Sequence, residues 1–318
     1  MVDANPAGPL DARRDWDVVG IGANSVDYVY LLPGYPQPLG SFAKMKIQQQ
    51  QVLCGGQMAT AVCACVRLGL RAKYVGVTGT DDNGRRVRAE LQRRGIDLDD
   101  AIIRDAPNQF AVILVDENDG ERIVLWDRDD RLLMRERDIP ADAIARARAL
   151  HVDDVDQESA IRAALLARDL GVPVMSDIDR LTDRTAALID AVSIPIFAEH
   201  VPAQQAGVGR PEQALALLRR PHHRLLCVTQ GAQGAMALDD DGIHHVPAFA
   251  VKAVDTTGAG DVFRAGFIYA FLRGWPTVEI LRFANAAAAV SCQHLGALGG
   301  VPALAEVEAM LATGSVRV

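Results

Sequence analysis

A chain of 318 residues is long enough for one large α/β domain, or for one such domain with a small appendage. With 49% hydrophobic and 23% charged residues the composition is that of a globular protein and excludes general disorder, while a net charge of −8 offers no basic face to nucleic acid. Five scattered cysteines without a C-x-x-C pair argue against zinc and thioredoxin-like chemistry. No apolar run approaches the roughly 20 residues of a membrane span, and the start of the chain lacks an apolar signal core, so a reduced, cytoplasmic setting is expected. The only lysines are Lys44, Lys46, Lys73 and Lys252, and with alanine so abundant the excess of arginine reads as coding bias.

Residues 1–14 read as a loose, disordered tail. Trp16 to Gly22 is expected as a buried first strand. The following Gly20-Ile21-Gly22-Ala23-Asn24-Ser25 imitates a dinucleotide fingerprint, but Val26 to Leu32 alternates like a strand and no helix follows, so that reading is rejected. Asp27 then lies just past the end of a core strand, where α/β proteins place ligands. A carboxylate accepts two hydroxyl hydrogen bonds at once and suits a polyol; a plain turn aspartate is the alternative. Ser41 to Leu53 partly alternates and reads as a strand with one polar face. Cys54-Gly55-Gly56 leads into a helix of small residues ending at Gly69, to be packed against a sheet, and the glycine pair lets a ligand approach the backbone.

Ala72 to Gly79 is expected as a second core strand and Asp81 to Arg94 as a capped amphipathic helix. Ala101–Arg104, Phe110–Asp116 and Arg122–Trp126 read as short strands, with Glu117-Asn118-Asp119-Gly120 turning a hairpin. Strands without intervening helices suggest a separate small sheet, which with residues 29–53 would lie over a ligand as a lid. Gln109 and Trp126 could face that ligand, a place in the lid's own core being the other reading of Trp126. From Ala141 onward helices and strands alternate in the rhythm of a parallel sheet flanked by helices. The expected division is a core of 15–28, 54–96 and 131–318 with a β lid of 29–53 and 97–130.

Val254 to Phe267 changes from strand end to double-glycine turn to helix. Gly258, Ala259 and Gly260 stand at a helix entrance, where N–H groups lack intrahelical partners and the dipole favours negative charge, so the turn is an anion cradle. Asp261 at its rim could take the proton of a hydroxyl attacking a phosphate held there. A P-loop is excluded, because the chain has no Gly-Lys pair.

The uninterrupted string Asp255-Thr256-Thr257-Gly258-Ala259-Gly260-Asp261-Val262-Phe263 resembles the C-terminal signature of the ribokinase-like (PfkB) sugar kinases. Gly55-Gly56 with its helix resembles their N-terminal signature, and Gly120-Glu121-Arg122 their lid hairpin. The resemblance, from about Asp17 to Pro302, implies a ribokinase-like three-layer α/β/α core with a mostly parallel sheet and a small β-sheet lid. It implies an ATP-dependent kinase that phosphorylates a hydroxymethyl group of a sugar. Asp261 would be the base, with the N–H groups of Gly258, Ala259 and Gly260 around the transferred phosphate. Asp27, Gly55, Gly56, Thr60 and Gln109 would hold the sugar, and Thr229, Gly231, Gly234 and Asn285 the nucleotide. For Asn285 a polar helix residue bonding its neighbours is the alternative, and for the Gly231–Gly234 turn a plain hairpin.

Magnesium is implied, with Asp177 and Glu199 as candidate ligands, and a monovalent cation such as potassium near Asp255. Departures from the pattern are Thr60 where the family carries asparagine, Asp179 within Asp177-Ile178-Asp179-Arg180 where it carries asparagine, and Ala198–Val201 where it carries Asn-x-x-Glu. Gln57, where members acting on phosphorylated sugars place lysine, favours a non-phosphorylated substrate. A nucleoside kinase of the same fold and a catalytically inactive sugar- or nucleotide-binding protein are the alternatives. Open lid edges would invite a homodimer; no nucleic acid or membrane partner is expected.

Overall fold

Trp16 to Ile21 forms β1, in which successive buried residues serve opposite faces: Val18 packs into one apolar cluster and Val19 into another. That alternation follows from the two-residue period of a strand and already requires a layer of helices on each side. The computed structural model describes residues 14–118 and 122–317. Residues 1–13 of the expected tail and Asp119–Glu121 of the expected hairpin lie outside them.

In chain order β1 is followed by β2 (Ser25–Leu32), β3 (Gln49–Gly55), α1 (Gln57–Arg67), β4 (Ala72–Val75), β5 (Val77–Gly79) and α2 (Asp82–Arg93). Next come β6 (Ile102–Arg104), β7 (Phe110–Asp116), β8 (Arg122–Asp127), α3 (Ala141–Ala145), β9 (Ala147–Asp153), α4 (Gln157–Asp169), β10 (Val174–Asp177) and α5 (Thr185–Ala191). The chain continues with β11 (Ile196–Phe197), α6 (His200–Ala206), α7 (Pro211–Leu218), β12 (Leu226–Thr229), β13 (Ala235–Leu238) and β14 (Ile243–Val246). Three helices close it: α8 (Ala259–Phe271), α9 (Thr277–Ser291) and α10 (Leu304–Thr313).

One four-stranded sheet has the order β4-β1-β9-β10, all parallel, and a second runs β11-β12-β13-β14. Parallel bridges Met175↔Ile194 and Ile178↔Phe197 join β10 to β11, so the two continue as one sheet. The expected parallel rhythm ends at β12, because the Gly231–Gly234 turn returns the chain antiparallel into β13 and then β14. One face is covered by α1, α8 and α9, through Val62, Phe267 and Phe283 among others; the other is covered by α4, α5 and α7, through Ala163, Leu188 and Leu215.

A separate sheet of order β3-β2-β7-β8 stands apart from this core. Its composition differs from expectation at three points. All of β2 from Ser25 belongs to it, so residues 25–28 pair with β3 and β7 rather than with the core. The strand expected over Ser41–Leu53 begins only at Gln49, and Ser41–Ala43 is a short 3-10 turn. Ile102–Arg104 does not join it but pairs in parallel with Val77–Gly79, because Gly76 breaks the expected Ala72–Gly79 strand and its carbonyl accepts the Ile102 N–H at 2.9 Å. Among the described residues no helix is long and apolar enough to cross a membrane.

α8 and α9 cross closely at Gly266, where a β-carbon would come 3.0 Å from Ala284 Cα and 3.1 Å from Ala287 Cβ. Gly266→Val should therefore force the helices apart and lower stability by about 1–3 kcal/mol. Denaturant midpoints check it; an unchanged midpoint would mean the pair relaxes freely.

Candidate active site

The entrance of α8 is a tight turn. Gly258 has φ +79°, a left-handed conformation, and a β-carbon there would meet Ala297 at 2.8 Å, so only glycine fits. The N–H groups of Gly258 and Gly260 have no partner among the described residues, whereas Ala259 N–H donates to Thr256 O at 3.2 Å. The expected cradle of three N–H groups is thus reduced to two open ones, with the third held in the turn.

Two cavities meet across this turn. The larger, about 830 Å3, is lined by Asp27, Gly56, Gln57, Gln109, Thr257, Gly258 and Asp261, and its far wall carries Ile113, Val124 and Trp126 of β7 and β8. The smaller, about 300 Å3, is lined by Thr229, Gly231, Gly234, Asn285, Ala259 and Gly260 with the apolar Phe249, Val251, Phe263 and Ala288. One turn of chain therefore faces both.

Asp27 is buried at the floor of the larger cavity, where Ser25 Oγ donates to its Oδ1 at 2.8 Å. Burial raises its pKa and Asp255 adds to the rise, while the Ser25 hydrogen bond opposes it. Gly55 is needed by this carboxylate, which occupies the space a side chain would fill. Thr60 departs from expectation: it is fully buried in α1, packs its methyl group beneath Gly258, and its hydroxyl has no hydrogen-bond partner among the described residues. A first-turn position on a helix tucked under the cradle carries the side chain inward, so Thr60 does not line the cavity.

Asp261 is half-buried, and its carboxyl group is hydrogen-bonded to that of Asp177. Burial pushes the Asp261 pKa up to about 7; Arg264 pulls it down, while Asp153 and Asp179 push it further up. Asp177, at the end of β10, is raised well above the ordinary range by burial and faces the buried Arg264, whose Nη2 lies 2.5 Å from Oδ1. The expectation that Asp177 holds magnesium is therefore corrected: a guanidinium already occupies the space in front of it. Glu199 is exposed at the start of α6 and reaches neither cavity, because the chain beyond β11 turns outward into that short helix. Among the described residues no group of three or more His, Cys, Asp or Glu could hold a metal ion.

Asp255 ties two loops together, its Oδ1 accepting Thr257 N–H and its Oδ2 accepting Gly296 N–H, each at 2.8 Å. On the smaller cavity, Thr229 Oγ1 donates to Phe197 O at 3.2 Å. Asn285 Nδ2 donates to Val246 O at 2.9 Å and Pro247 O at 3.2 Å, so its amide bonds neighbouring chain as the plainer alternative supposed, while also bordering the cavity.

Two residues escaped the sequence reading. Arg122 on β8 reaches across the larger cavity and donates from Nη1 to Thr257 Oγ1 at 2.6 Å, linking the small sheet to the cradle loop. Its only local sign was the Gly-Glu-Arg hairpin. Arg264 could have been noticed as the one charge between Val262-Phe263 and Ala265 in an otherwise apolar helical run.

Residues 32–304 match the model of the pfkB family carbohydrate kinases. A nucleoside kinase of Methanothermobacter thermautotrophicus is 30% identical over 91% of this chain and 93% of its own length. An ATP-dependent ribose-1-phosphate kinase of Halopiger xanaduensis is 30% identical over 79% of this chain and 84% of its own. The ribokinase structure of Thermotoga maritima superimposes with a TM-score of 0.82 at 23% identity, covering 94% of this chain and 100% of the other. The chain belongs to the pfkB family of carbohydrate kinases, phosphotransferases with an alcohol group as acceptor, and its fold is ribokinase-like.

Gly258→Ala should strain the turn and displace its open N–H groups. Loss of such a donor costs roughly 10²–10³ in turnover. Steady-state kinetics with a melting curve as control checks it; a folded variant of full activity would remove the cradle from the mechanism.

Proposed function

We propose that this pfkB-family kinase transfers the γ-phosphate of ATP to a hydroxymethyl group of a neutral, non-phosphorylated sugar. The observation that carries the reading is the single turn shared by the two cavities, with Asp261 and Gly258 on one side and Ala259 and Gly260 on the other. The smaller, largely apolar cavity suits a planar adenine, and its opening at the helix entrance points the phosphates at N–H groups. In the larger cavity Asp27 would anchor sugar hydroxyls, and Asp261 would accept the proton of the attacking hydroxyl. The sheet carrying Trp126 and Arg122 would act as a lid that excludes competing water.

The pairing of Arg128 and Arg180, two of the three arginines that border the larger cavity, supports a neutral acceptor. Arg128 is held by Asp156 through two hydrogen bonds of 2.7 Å, and Arg180 donates to Asp154 O at 2.8 Å while its Nε faces Asp154 Oδ1 at 3.3 Å. Magnesium accompanies nucleotide phosphates and neutralises their charge; among the described residues no carboxylate set fits it, so no step is assigned to a protein-held ion. Potassium at Asp255 fits no better, since both carboxylate oxygens hold N–H groups and Arg122 Nη1 lies 3.6 Å away. A nucleoside acceptor is the second reading, favoured by the apolar and aromatic wall of Ile113, Val124 and Trp126 against which a base could stack. We also propose a homodimer through the edge of β8, where Ile123 and Leu125 stand exposed; light scattering that finds a monomer would exclude it.

ADP release over ketoses, aldoses, sugar phosphates and nucleosides decides the substrate class, and turnover with nucleosides alone would overturn the sugar reading. Asp261→Asn should lose turnover by at least about 10³, within the range of general-base effects, and still bind nucleotide. Because the base acts when ionised, kcat/KM should climb as pH rises through about 7 and level off above it. A profile flat from pH 5 to 9 would remove Asp261 from proton transfer.

A further inference from the structure

α8 is apolar along its buried side except for Arg264, which follows Asp261 by three residues and so lies one turn further along the same face. It is 3% exposed. A buried guanidinium is costly unless paired and hydrogen-bonded, yet this one is incompletely satisfied. Its Nη2 meets Asp177 at 2.5 Å, while its Nε has no partner among the described residues. Nη1 lies 2.8 Å from the point where a Gly260 β-carbon would stand, so the guanidinium is pressed directly beneath the cradle. Asp177 in turn is bonded to Asp261. An ion pair placed only for stability has no need to be chained to the residue at the reacting centre.

We propose that Arg264 is the positioning residue of the base, holding Asp261 at the cradle through Asp177 and balancing the negative charge gathered around it. This rests on the reading of Asp261 as the base. The groups facing the pair come from every adjoining element. Asp153 and Asp154 follow from β9, Asp177 and Asp179 from β10, and all are acidic. His151 of β9 stays neutral, burial and Arg264 holding its pKa down to about 3, and Cys227 of β12 stays a thiol, pushed up by burial to about 12. Arg180 is bonded to Asp154 and Arg128 faces Asp153, while Arg264 is the cation set against Asp177 and Asp261. Two carboxyl groups in contact share a proton, so each titrates as part of the pair. Arg264 favours the ionised partner, and removing it leaves the proton on the pair to higher pH.

The test is the pH profile of kcat/KM with ATP and whichever acceptor supports turnover. In Arg264→Met the acidic limb should move up by about one unit, a loss of about tenfold near neutrality that is regained at alkaline pH. Arg264→Lys should restore most of it, and the KM for ATP should stay within about threefold in both. Asp177→Ala should move the limb up as well, because the Asp177 hydrogen bond that holds the Asp261 pKa down is lost together with the link to Arg264. Matching shifts from both members of the chain, with the KM for ATP unchanged, are not expected of a merely structural contact. A folded Arg264→Met with the limb unmoved overturns the proposal. If that variant does not fold, Asp177→Ala decides alone, and a limb that stays or falls overturns it. Asp261→Asn separates the two levels: if it remains active the base assignment fails, whereas if it is inactive and the limbs do not move, only the role of Arg264 fails.

Discussion

The parallel sheet gathers acidic side chains at one place, and the site depends on how their charge is managed. β9 ends in Asp153, with Asp154 next in the chain, and β10 ends in Asp177, so the carboxyl ends of adjacent strands deliver carboxylates to the entrance of α8, where Asp261 already stands. Most of this charge is absorbed by backbone. Asp153 accepts Ala23 N–H at 2.7 Å and Val155 N–H at 3.1 Å, and Asp154 accepts the N–H groups of Asp179 and Arg180 at 2.8 and 2.7 Å. Those bonds hold the loops around the cavity in shape. Asp177 and Asp261 lack comparable N–H partners and are left to each other and to Arg264, which is why the perturbed titration concentrates at the helix entrance.

The same economy of contacts fixes the crossing between core and small sheet. Between β1 and β2 the chain passes Gly22, where a side chain would strike Asp153, and Asn24, whose Nδ2 donates to Tyr74 Oη at 2.8 Å and Val77 O at 2.9 Å. Asn108 Nδ2 donates to Asn24 Oδ1 at 2.9 Å, so the path into β7 is pinned to the path into β2. A buried network in which each amide is satisfied is rigid. Beyond it the small sheet touches the cradle loop through Arg122, an exposed contact and a weaker one.

How far the sequence was legible depended on the range of the forces involved. The turn at Gly258–Asp261 was readable because a strand end, two glycines and a helical period lie within fourteen residues of Val254–Phe267. The double layer of helices was readable from the alternation of apolar strands and helices. The partner of Ile102–Arg104 was not, because a three-residue strand carries no period and its pairing was set by the break at Gly76. Asp177 looked like a metal ligand because Asp177-Ile178-Asp179-Arg180 resembles a family motif, and Arg264, 87 positions on, is visible beside it only in space. Thr60 misled for a different reason: a motif position names the helix but not the depth to which its first turn is buried.

Pairing also bears on what the larger cavity can accept. Arg128 and Arg180 both border it, which from composition alone would suggest an anionic acceptor. Each is tied to its own aspartate, Arg128 to Asp156 and Arg180 to Asp154, so a phosphorylated acceptor would have to break an existing ion pair to be recognised. At the cradle the balance is different. The N–H groups of Gly258 and Gly260 are open, and Arg122 is bonded there to a neutral hydroxyl and stands 3.6 Å from Asp255. The open N–H groups therefore favour a phosphate at the turn between the cavities, and on the proposed reading the acceptor end is left to hydroxyl groups and Asp27.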